Sequence, residues 1–341
     1  MKMLCCFGIR AGPAQPVPWK DQSVVMASVG VNNVRAAGEG GLAPPLLAPI
    51  AKEAEGSGTA ERPAWRGAYG AAGKPREHGV TMQDTVSMRP SFCTWVDGSR
   101  MHFFAVFDGH GGPVVSVVLR DHMHAILVDE MSRTAAAYRK KQQQDEEAEL
   151  CAWKGALRRS FARADELAAS GVPAGSIMWS TAVVALVVRG RILVANCGDS
   201  RAVLCRAGRA VPLSHDHKLA RPDELAAPGV QGILTRSRAL GHTFLNPQMT
   251  CEPDITITAR SDDDDCLILA SNGLWDVISN QKACNVTKKC LEDKSKGANA
   301  PVGKEEEVRC VCAAIRLTNL AINEHSLDDI SVVVLDLKMR C

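Results

Sequence analysis

The chain has 341 residues, 46% of them hydrophobic, so it can fill the core of one large domain or of two ordinary ones. Lys and Arg number 40 against 38 Asp and Glu, and the formal charge of +2 excludes a general attraction to nucleic acid or acidic membranes. The longest apolar run, Thr181 to Val188, is far shorter than the roughly 20 residues of a membrane span, which excludes a transmembrane helix.

The amino-terminal residues and the cysteines indicate an intracellular protein. Residues 1–6 lack the sustained apolar region of a secretory signal, and position 2 is Lys2 rather than the Gly that myristoylation requires. The 13 cysteines are odd in number and show no paired metal-ligand spacing, which favours free thiols in a reducing compartment. We therefore expect a monomer in the cytoplasm, the nucleus or both.

The composition changes along the chain and divides it into two parts. Residues 1–64 are rich in Ala, Gly and Pro and show no sustained periodicity, which predicts a flexible amino-terminal arm. From Tyr69 onward, short β-branched runs alternate with Gly, Asp and Asn. We place a single folded domain at residues 65–341.

The predicted elements of this domain begin with Phe103 to Phe107, a short apolar run that ends at Asp108-Gly109 and is typical of a buried strand entering a turn. Arg189-Gly190 separates two β-rich runs and predicts a hairpin. The other predicted elements are helices over Val114–Met131, Ala152–Ala169 and about Glu305–Asn323, and strands over Thr181–Val188, Arg191–Asn196, Ala202–Cys205, Cys266–Ala270 and Ile330–Leu337. This order predicts an α+β fold, a sandwich of two antiparallel β-sheets flanked by helices.

Acidic or amide side chains follow or precede three of the predicted strands. Asp108 follows Phe107, Asn272 follows the strand that ends at Ala270, and Asp328-Asp329 directly precedes Ile330. Strand ends rich in carboxylate and carbonyl oxygens suit hard divalent cations. Asp-Gly is also a common turn dipeptide, so independent turns explain the same pattern. The pattern alone leaves both interpretations open.

Seven motifs in order make the chain resemble the type 2C family of metal-dependent Ser/Thr protein phosphatases, most closely its plant form. They cover about residues 69–337, and too many of them agree in order and spacing for chance. The motifs are Phe104-Ala-Val-Phe-Asp-Gly-His-Gly-Gly112, Ser180-Thr-Ala-Val-Val-Ala-Leu186, Ala195-Asn-Cys-Gly-Asp-Ser-Arg-Ala-Val-Leu204, Asp216-His-Lys218 with Arg221-Pro-Asp-Glu224, Ser237-Arg-Ala-Leu-Gly241, Leu267-Ile-Leu-Ala-Ser-Asn-Gly-Leu-Trp-Asp-Val277 and Asp328-Asp-Ile-Ser-Val-Val-Val334.

The resemblance implies a binuclear site between the two sheets, in which two Mg²⁺ or Mn²⁺ ions share a water that attacks phosphorus. Asp108 matches the carboxylate that bridges both ions, and Gly109 matches the residue that offers its carbonyl to one of them. His110 matches the histidine that protonates the leaving Ser or Thr oxygen. The implied partners are phosphoprotein substrates.

Other positions of the family's metal site match only in part. Asp328 matches a metal ligand, and Asp84 keeps the carboxylate of the family's Met-Glu-Asp, so we count Asp84 with His110 as a candidate catalytic residue. Asn272 stands where the family has a metal-binding Asp, and Gln83 stands where it has a Glu. An amide offers an oxygen but no charge, so these two changes are expected to weaken metal binding.

Further departures concern the phosphate and the substrate. Gly79 stands where the family carries an Arg that grips the phosphate, and Arg76 is a nearby substitute only if the loop shifts. His242 replaces an Asp, and Asp329 replaces an Asn and adds a negative charge. The stretch before Ser237 is shorter than the family pattern, which predicts a reduced flap beside the site.

Three hypotheses follow from these matches and departures. The first is a phosphatase for phosphoserine and phosphothreonine in proteins, with reduced activity. The second is a pseudophosphatase that keeps the fold and binds phosphoproteins or other partners without turnover. The third is a scaffold whose aspartates are only turn residues, which would show no change in thermal stability when Mn²⁺ is added.

Overall fold

The computed structural model describes residues 67–76, 81–140, 145–218, 237–241, 249–298 and 300–338. The proposed flexible arm lies outside these ranges, and so does most of the shortened stretch before Ser237. No helix within the described ranges has the length and hydropathy that a membrane crossing requires. Every cysteine in the described ranges is a free thiol, as the odd count and the spacing predicted.

Two five-stranded antiparallel sheets form the centre of the domain, as the sequence predicted. Sheet A has the strand order β1-β12-β11-β8-β9, and sheet B has the order β10-β7-β6-β3-β2. A separate two-stranded ribbon pairs β4 with β5. The strands are β1 Tyr69–Lys74, β2 Thr85–Thr94, β3 Arg100–Phe107, β4 Gly109–His110, β5 Trp179–Ser180, β6 Ala182–Val188, β7 Arg191–Cys197, β8 Arg201–Arg206, β9 Arg209–Pro212, β10 Asp254–Ala259, β11 Asp264–Ala270 and β12 Ile330–Asp336.

The strand β3 shows why the central strands read as continuous apolar runs. Phe104 and Val106 face the interior between the sheets, where they pack with residues of sheet A such as Leu269. Phe103 and Ala105 face the opposite side and pack beneath helices. A strand covered on both faces has no solvent side to carry polar residues, so the usual alternation disappears.

Helices cover the outer face of each sheet. The helices α1 and α2 pack on sheet B, and α4 and α5 pack on sheet A. A short helix, α3, begins directly after β11. The bounds are α1 Val114–Lys140, α2 Glu146–Ser170, α3 Asn272–Trp275, α4 Asn280–Glu292 and α5 Glu305–Asn323, with a 3₁₀ turn at Lys294–Gly297.

Local signals place several boundaries. The side chain of Asp145 accepts a hydrogen bond from the Ala148 amide at 2.7 Å and caps the first turn of α2. In the turn between β6 and β7, Arg189 has φ of 42° and Gly190 has φ of 68°. Two consecutive positive φ values match the turn that suits a tight hairpin, so the predicted hairpin is confirmed and its geometry explained.

Candidate active site

The strand ends that carry the acidic residues meet at one end of the sandwich. In sheet B, Thr85 pairs with Phe107, which brings the start of β2 beside the end of β3. In sheet A, Ala270 pairs with Val332, which brings the end of β11 beside the start of β12. The backbone N–H of Gln83 donates to Asp329 Oδ2 at 2.7 Å and so joins the two sheets at this end.

Asp84 and Asp108 form a buried acidic pair at this junction. Asp84 is 5% exposed and Asp108 is 1% exposed. Neither carboxylate oxygen of Asp84 makes a hydrogen bond. Burial and the negative charge of Asp108 raise the pKa of Asp84 well above its ordinary value, although the Ser271 side chain offsets part of this rise. A cation beside the pair would satisfy these oxygens and reverse the rise in pKa.

Close packing at Gly109 fixes the backbone beside the pair. A Cβ at this position would lie 2.4 Å from the Gln83 carbonyl oxygen and 2.8 Å from Ser116 Oγ, so only Gly fits. The Ser116 hydroxyl donates to the Gln83 carbonyl, and the Thr85 hydroxyl donates to the Ser116 carbonyl at 2.7 Å. These contacts tie the start of β2 and the first turn of α1 to the Asp108-Gly109 turn.

His110 lies at the edge of the acidic pair. Its Nδ1 is 3.1 Å from Asp108 Oδ1, and its side chain is 25% exposed. Its ring stacks on the Trp179 ring, with centroids 4.1 Å apart and planes inclined by 7°. The imidazole is therefore held next to Asp108 and remains accessible to solvent.

The side-chain amide of Gln83 is hydrogen-bonded to the backbone of the glycine turn after His110. Its Oε1 accepts a hydrogen bond from the Gly112 amide at 2.8 Å. The oxygen that the sequence offered as a metal ligand therefore bonds the glycine turn in this structure. Gln83 lies at the predicted place, and its ligand role stays a prediction.

The amide of Asn272 lies between two carboxylates. Asn272 Nδ2 donates to Asp328 Oδ2 at 3.1 Å and to Asp276 Oδ2 at 3.3 Å, while its Oδ1 is buried without a hydrogen bond. The Lys218 ammonium donates to Asp276 Oδ1 at 2.8 Å. The other oxygen of Asp328 accepts from the Asp329 amide at 2.9 Å. Both oxygens of Asp328 are thus hydrogen-bonded within the protein.

Asp329 braces the loop between β1 and β2. Its Oδ1 accepts from the Arg76 amide at 2.8 Å, and its Oδ2 accepts the Gln83 bond described above. Backbone N–H groups therefore take up the extra charge that the sequence placed near the metal site. The Arg76 side chain is exposed, and its backbone serves this bracing.

The carboxylates at the two strand ends differ in how well their oxygens would suit a divalent cation. Within the described ranges, no group of three or more His, Cys, Asp or Glu side chains has the arrangement of a metal site. The buried oxygens of Asp84 lack hydrogen bonds, and Asp108 adds a second carboxylate beside them, so this pair suits a divalent cation. The oxygens of Asp328 are already hydrogen-bonded and fit a second cation less well.

Sequence reasoning missed three residues of this region: Trp179, Asp276 and Lys218. Asp276 and Lys218 lie within the motifs named above. Their roles could have been inferred from Asn272, because an amide at that position donates hydrogen bonds to nearby carboxylates. Gly79, His242 and the stretch from Arg221 to Glu224 lie outside the described residues.

His217 supports the loop behind the site. It is fully buried, its Nδ1 accepts from the Gly198 amide at 3.0 Å, and its Nε2 lies 2.9 Å from Asp254 Oδ2. Because Nδ1 accepts a hydrogen bond from a backbone amide, the proton is on Nε2 and is shared with Asp254. His217 therefore has a structural role in this loop.

Two solved structures share this fold. A crystal structure of serine-threonine phosphatase 2C from Toxoplasma gondii superposes with a TM-score of 0.63 at 19% identity, covering 81% of this chain and 96% of that one. A sex-determining protein of C. elegans superposes with a TM-score of 0.61 at 20% identity, covering 80% of this chain and 65% of that longer one. At these identities the likenesses show that the chain shares the fold of both solved structures.

The sequence comparisons define the family. The model of the family described as protein phosphatase 2C matches residues 71–319. Probable protein phosphatase 2C 37 of Oryza sativa subsp. japonica is 44% identical, over 81% of this chain and 77% of its own length. Probable protein phosphatase 2C 75 of Arabidopsis thaliana is 38% identical, over 88% and 80%. The chain belongs to the protein phosphatase 2C family and is of the plant type.

Proposed function

We propose that this chain is a metal-dependent protein Ser/Thr phosphatase that hydrolyses phosphoserine and phosphothreonine, with turnover reduced by Gln83 and Asn272. The observation that supports it best is the buried Asp84 carboxylate, which lacks hydrogen bonds and lies beside Asp108 at the junction of the two sheets. A buried carboxylate that lacks a hydrogen bond and lies beside a second buried carboxylate is costly, and a cation would remove this cost.

Asp108, Asp84 and the Gly109 carbonyl would hold the favoured Mg²⁺ or Mn²⁺ ion, and Asp328, Asn272 and Gln83 border the weaker position. When bound, such an ion lowers the pKa of a water molecule and neutralises charge on the phosphoryl oxygens. The Asp108-Gly109 turn supplies a fixed backbone for this position, because Ser116 and Thr85 tie it to α1 and β2.

His110 would supply the proton for the leaving group. Asp108 lies at its Nδ1, so its Nε2 is the nitrogen available to protonate the Ser or Thr oxygen as the P–O bond breaks. An alkoxide is a poor leaving group, so this proton matters for phosphopeptides more than for aryl phosphates. The solvent-exposed part of the ring is consistent with access for a protein substrate.

The expected reduction in turnover follows from the smaller negative charge of the site. Gln83 and Asn272 each place a neutral amide where the family has a carboxylate, so the site carries two fewer negative charges to hold the cations. Both amides also make hydrogen bonds within the protein, which would have to break or rearrange before either amide could bind a cation. A second candidate function, a pseudophosphatase that binds phosphoproteins without turnover, rests on this same observation.

The test is a Mn²⁺ titration of activity on a phosphothreonine peptide. We expect wild-type hydrolysis that depends on Mn²⁺ and a loss of at least about 100-fold in Asp108→Ala, because it removes the central carboxylate of the site. Asp262→Ala, which changes an exposed carboxylate in the turn before β11, is the matched control and should behave as wild type. Equal activity in Asp108→Ala and wild type would refute the metal mechanism.

A wild-type chain without activity leads to a second step. The double variant Gln83→Glu/Asn272→Asp returns both charges to the site. Recovery of Mn²⁺-dependent turnover would identify the two amides as the cause of the inactivity. It would support the hypothesis that the natural chain is a pseudophosphatase. Continued inactivity would place the defect elsewhere in the chain.

A further inference from the structure

The ribbon of β4 and β5 brings Trp179 against His110. In its register, His110 lies opposite Trp179 and Gly109 lies opposite Ser180. The Thr181 amide donates to the Asp108 carbonyl at 2.9 Å and extends this pairing by one residue. Directly opposed residues of an antiparallel pair project to the same face with Cβ atoms about 4.5–5.5 Å apart, so the backbone itself brings the two rings together.

The glycine turn after His110 packs closely against the residues that precede Trp179. Gly111 has φ of 75°, and a Cβ there would lie 1.9 Å from the Ile177 carbonyl oxygen. Gly112 has φ of 140°, and a Cβ there would lie 3.1 Å from the Met178 side chain. The backbone on both sides of the ring pair is therefore fixed, and neither partner can move away without disrupting this packing.

The His110 ring is in contact on two sides. Its face stacks on Trp179 at 4.1 Å with an inclination of 7°, and its Nδ1 lies 3.1 Å from Asp108. One contact restrains tilting of the ring plane, and the other sets which nitrogen faces the acidic pair. Nε2 is the ring nitrogen that does not face Asp108.

We infer that Trp179 is a positioning residue for His110: its indole face holds the imidazole in the plane from which Nε2 protonates the leaving Ser or Thr oxygen. The inference rests on the proposed function, because it assigns the proton to His110. Trp179 itself touches no reacting atom. A water oxygen forms the new bond to phosphorus, the leaving oxygen keeps the electron pair of the broken P–O bond and takes the Nε2 proton, and a proton released from the water replaces it on Nε2.

The experiment compares two substrates with different leaving groups. In Trp179→Leu, which keeps apolar volume but loses the ring face, we expect kcat for a phosphothreonine peptide to fall about two- to tenfold with KM unchanged. Hydrolysis of p-nitrophenyl phosphate should stay near wild type, because nitrophenolate leaves without a proton. Trp179→Phe keeps a ring face and should restore most of the peptide activity.

Two controls separate positioning from general damage. Ile177→Ala removes an exposed side chain of the same segment and should leave the ratio of peptide to p-nitrophenyl phosphate activity unchanged. In a His110→Ala background, Trp179→Leu should cost nothing further, because its effect passes through the imidazole. An equal loss on both substrates, a loss in KM alone or an additive loss in the His110→Ala background would overturn the inference.

A spectroscopic readout does not depend on turnover. The ring protons of His110, assigned by comparison with His110→Ala, should be shifted upfield by the indole face in wild type and should lose this shift in Trp179→Leu. Unchanged signals would show that Trp179 does not hold the ring. If wild type hydrolyses neither substrate, the proposed function and the catalytic half of the inference fail, and the signals still decide the stacking.

Discussion

At the end of sheet B, the Asp84 carboxylate is buried beside Asp108 without a hydrogen bond, whereas at the end of sheet A the Asn272 amide donates to two carboxylates. We call the first region, residues 83–84 with 108–112, the Asp108 half. The second, residues 271–276 with 328–329, is the Asp328 half. In the Asp108 half the Asp84 oxygens lack hydrogen bonds, whereas in the Asp328 half the oxygens of Asp328 accept hydrogen bonds from the protein's own donors.

The contrast shows how one family site can diverge in parts. In the Asp328 half, a neutral amide and the Lys218 ammonium do part of the work of a cation, because they give the carboxylates of Asp276 and Asp328 hydrogen-bond donors. Such donors stabilise the fold without any metal. In the Asp108 half the Ser271 side chain offsets only part of the cost of burying Asp84, so the Asp84 charge stays unfavourable without a cation.

The largest expected effect is that of Asn272→Asp on the Asp328 half. In EDTA it replaces a donor by a third carboxylate beside Asp276 and Asp328, and we expect it to lower the free energy of unfolding by about 1–3 kcal/mol. With saturating Mn²⁺ the added charge becomes a ligand, so the thermal midpoint should recover and exceed that of wild type under the same conditions.

Thermal melts of both proteins, with EDTA and with Mn²⁺, measure this effect. Asn285→Asp is the matched control, because Asn285 is exposed on α4 and the change adds the same charge away from the site. An Asn272→Asp midpoint that equals wild type in EDTA and does not respond to Mn²⁺ would remove the distinction between the halves.

A smaller effect, of opposite sign, is expected for Asp84→Asn in the Asp108 half. Burial and Asp108 raise the pKa of Asp84, so the folded state holds this proton more tightly than the unfolded chain. The contribution of Asp84 to stability is therefore highest at low pH and falls as the pH rises above the ordinary value of 3.8. Asp84→Asn removes this loss, so it should stabilise the metal-free protein at pH 7 by about 0.5–2 kcal/mol.

Melting curves in EDTA across pH provide the measurement. The stabilisation should shrink toward zero below about pH 4, where Asp84 is protonated in both states. Asp262→Asn, at an exposed carboxylate, should show no such dependence. A destabilised Asp84→Asn at pH 7 would mean that the carboxylate has a partner that stabilises its charge.

The sequence predicted the sandwich well where strands are buried on both faces. The run from Phe103 to Phe107 and the run from Thr181 to Val188 are apolar because helices and the opposite sheet cover them. The helix Glu305–Asn323 was predicted with the bounds that the structure has. These elements are strongly periodic or uniformly apolar, so local pattern is sufficient.

The strands at the sheet edges were not predicted, for physical reasons. The strand β2 contains Pro90 and a Ser91 with φ of 53°, and its register to β3 shifts between Arg89 and Cys93, so it lacks a regular alternation. The strand β10 is a half-buried edge strand with only two isoleucines among polar residues. Such strands are specified by pairing with a neighbour rather than by their own pattern.

The sequence predicted that strand ends carrying acidic and amide residues would lie together, and the structure brings them together, but their hydrogen bonds were not predictable. The motifs predicted that Asp108, Asn272 and Asp328 lie at one end of the fold. The hydrogen bond between Gln83 and Gly112 depends on the conformation of the glycine turn, which the motifs do not specify. The stacking of Trp179 on His110 arises from the β4–β5 register. Neither contact follows from residue type or spacing, because both join segments that are distant in the chain.

The most direct test of the unequal halves is calorimetric titration with Mn²⁺ of wild type, Asp108→Ala and Asp328→Asn. We expect Asp108→Ala to abolish measurable binding and Asp328→Asn to keep the Mn²⁺ affinity within about tenfold of wild type. Equal losses in the two variants, or wild-type binding by Asp108→Ala, would contradict this expectation.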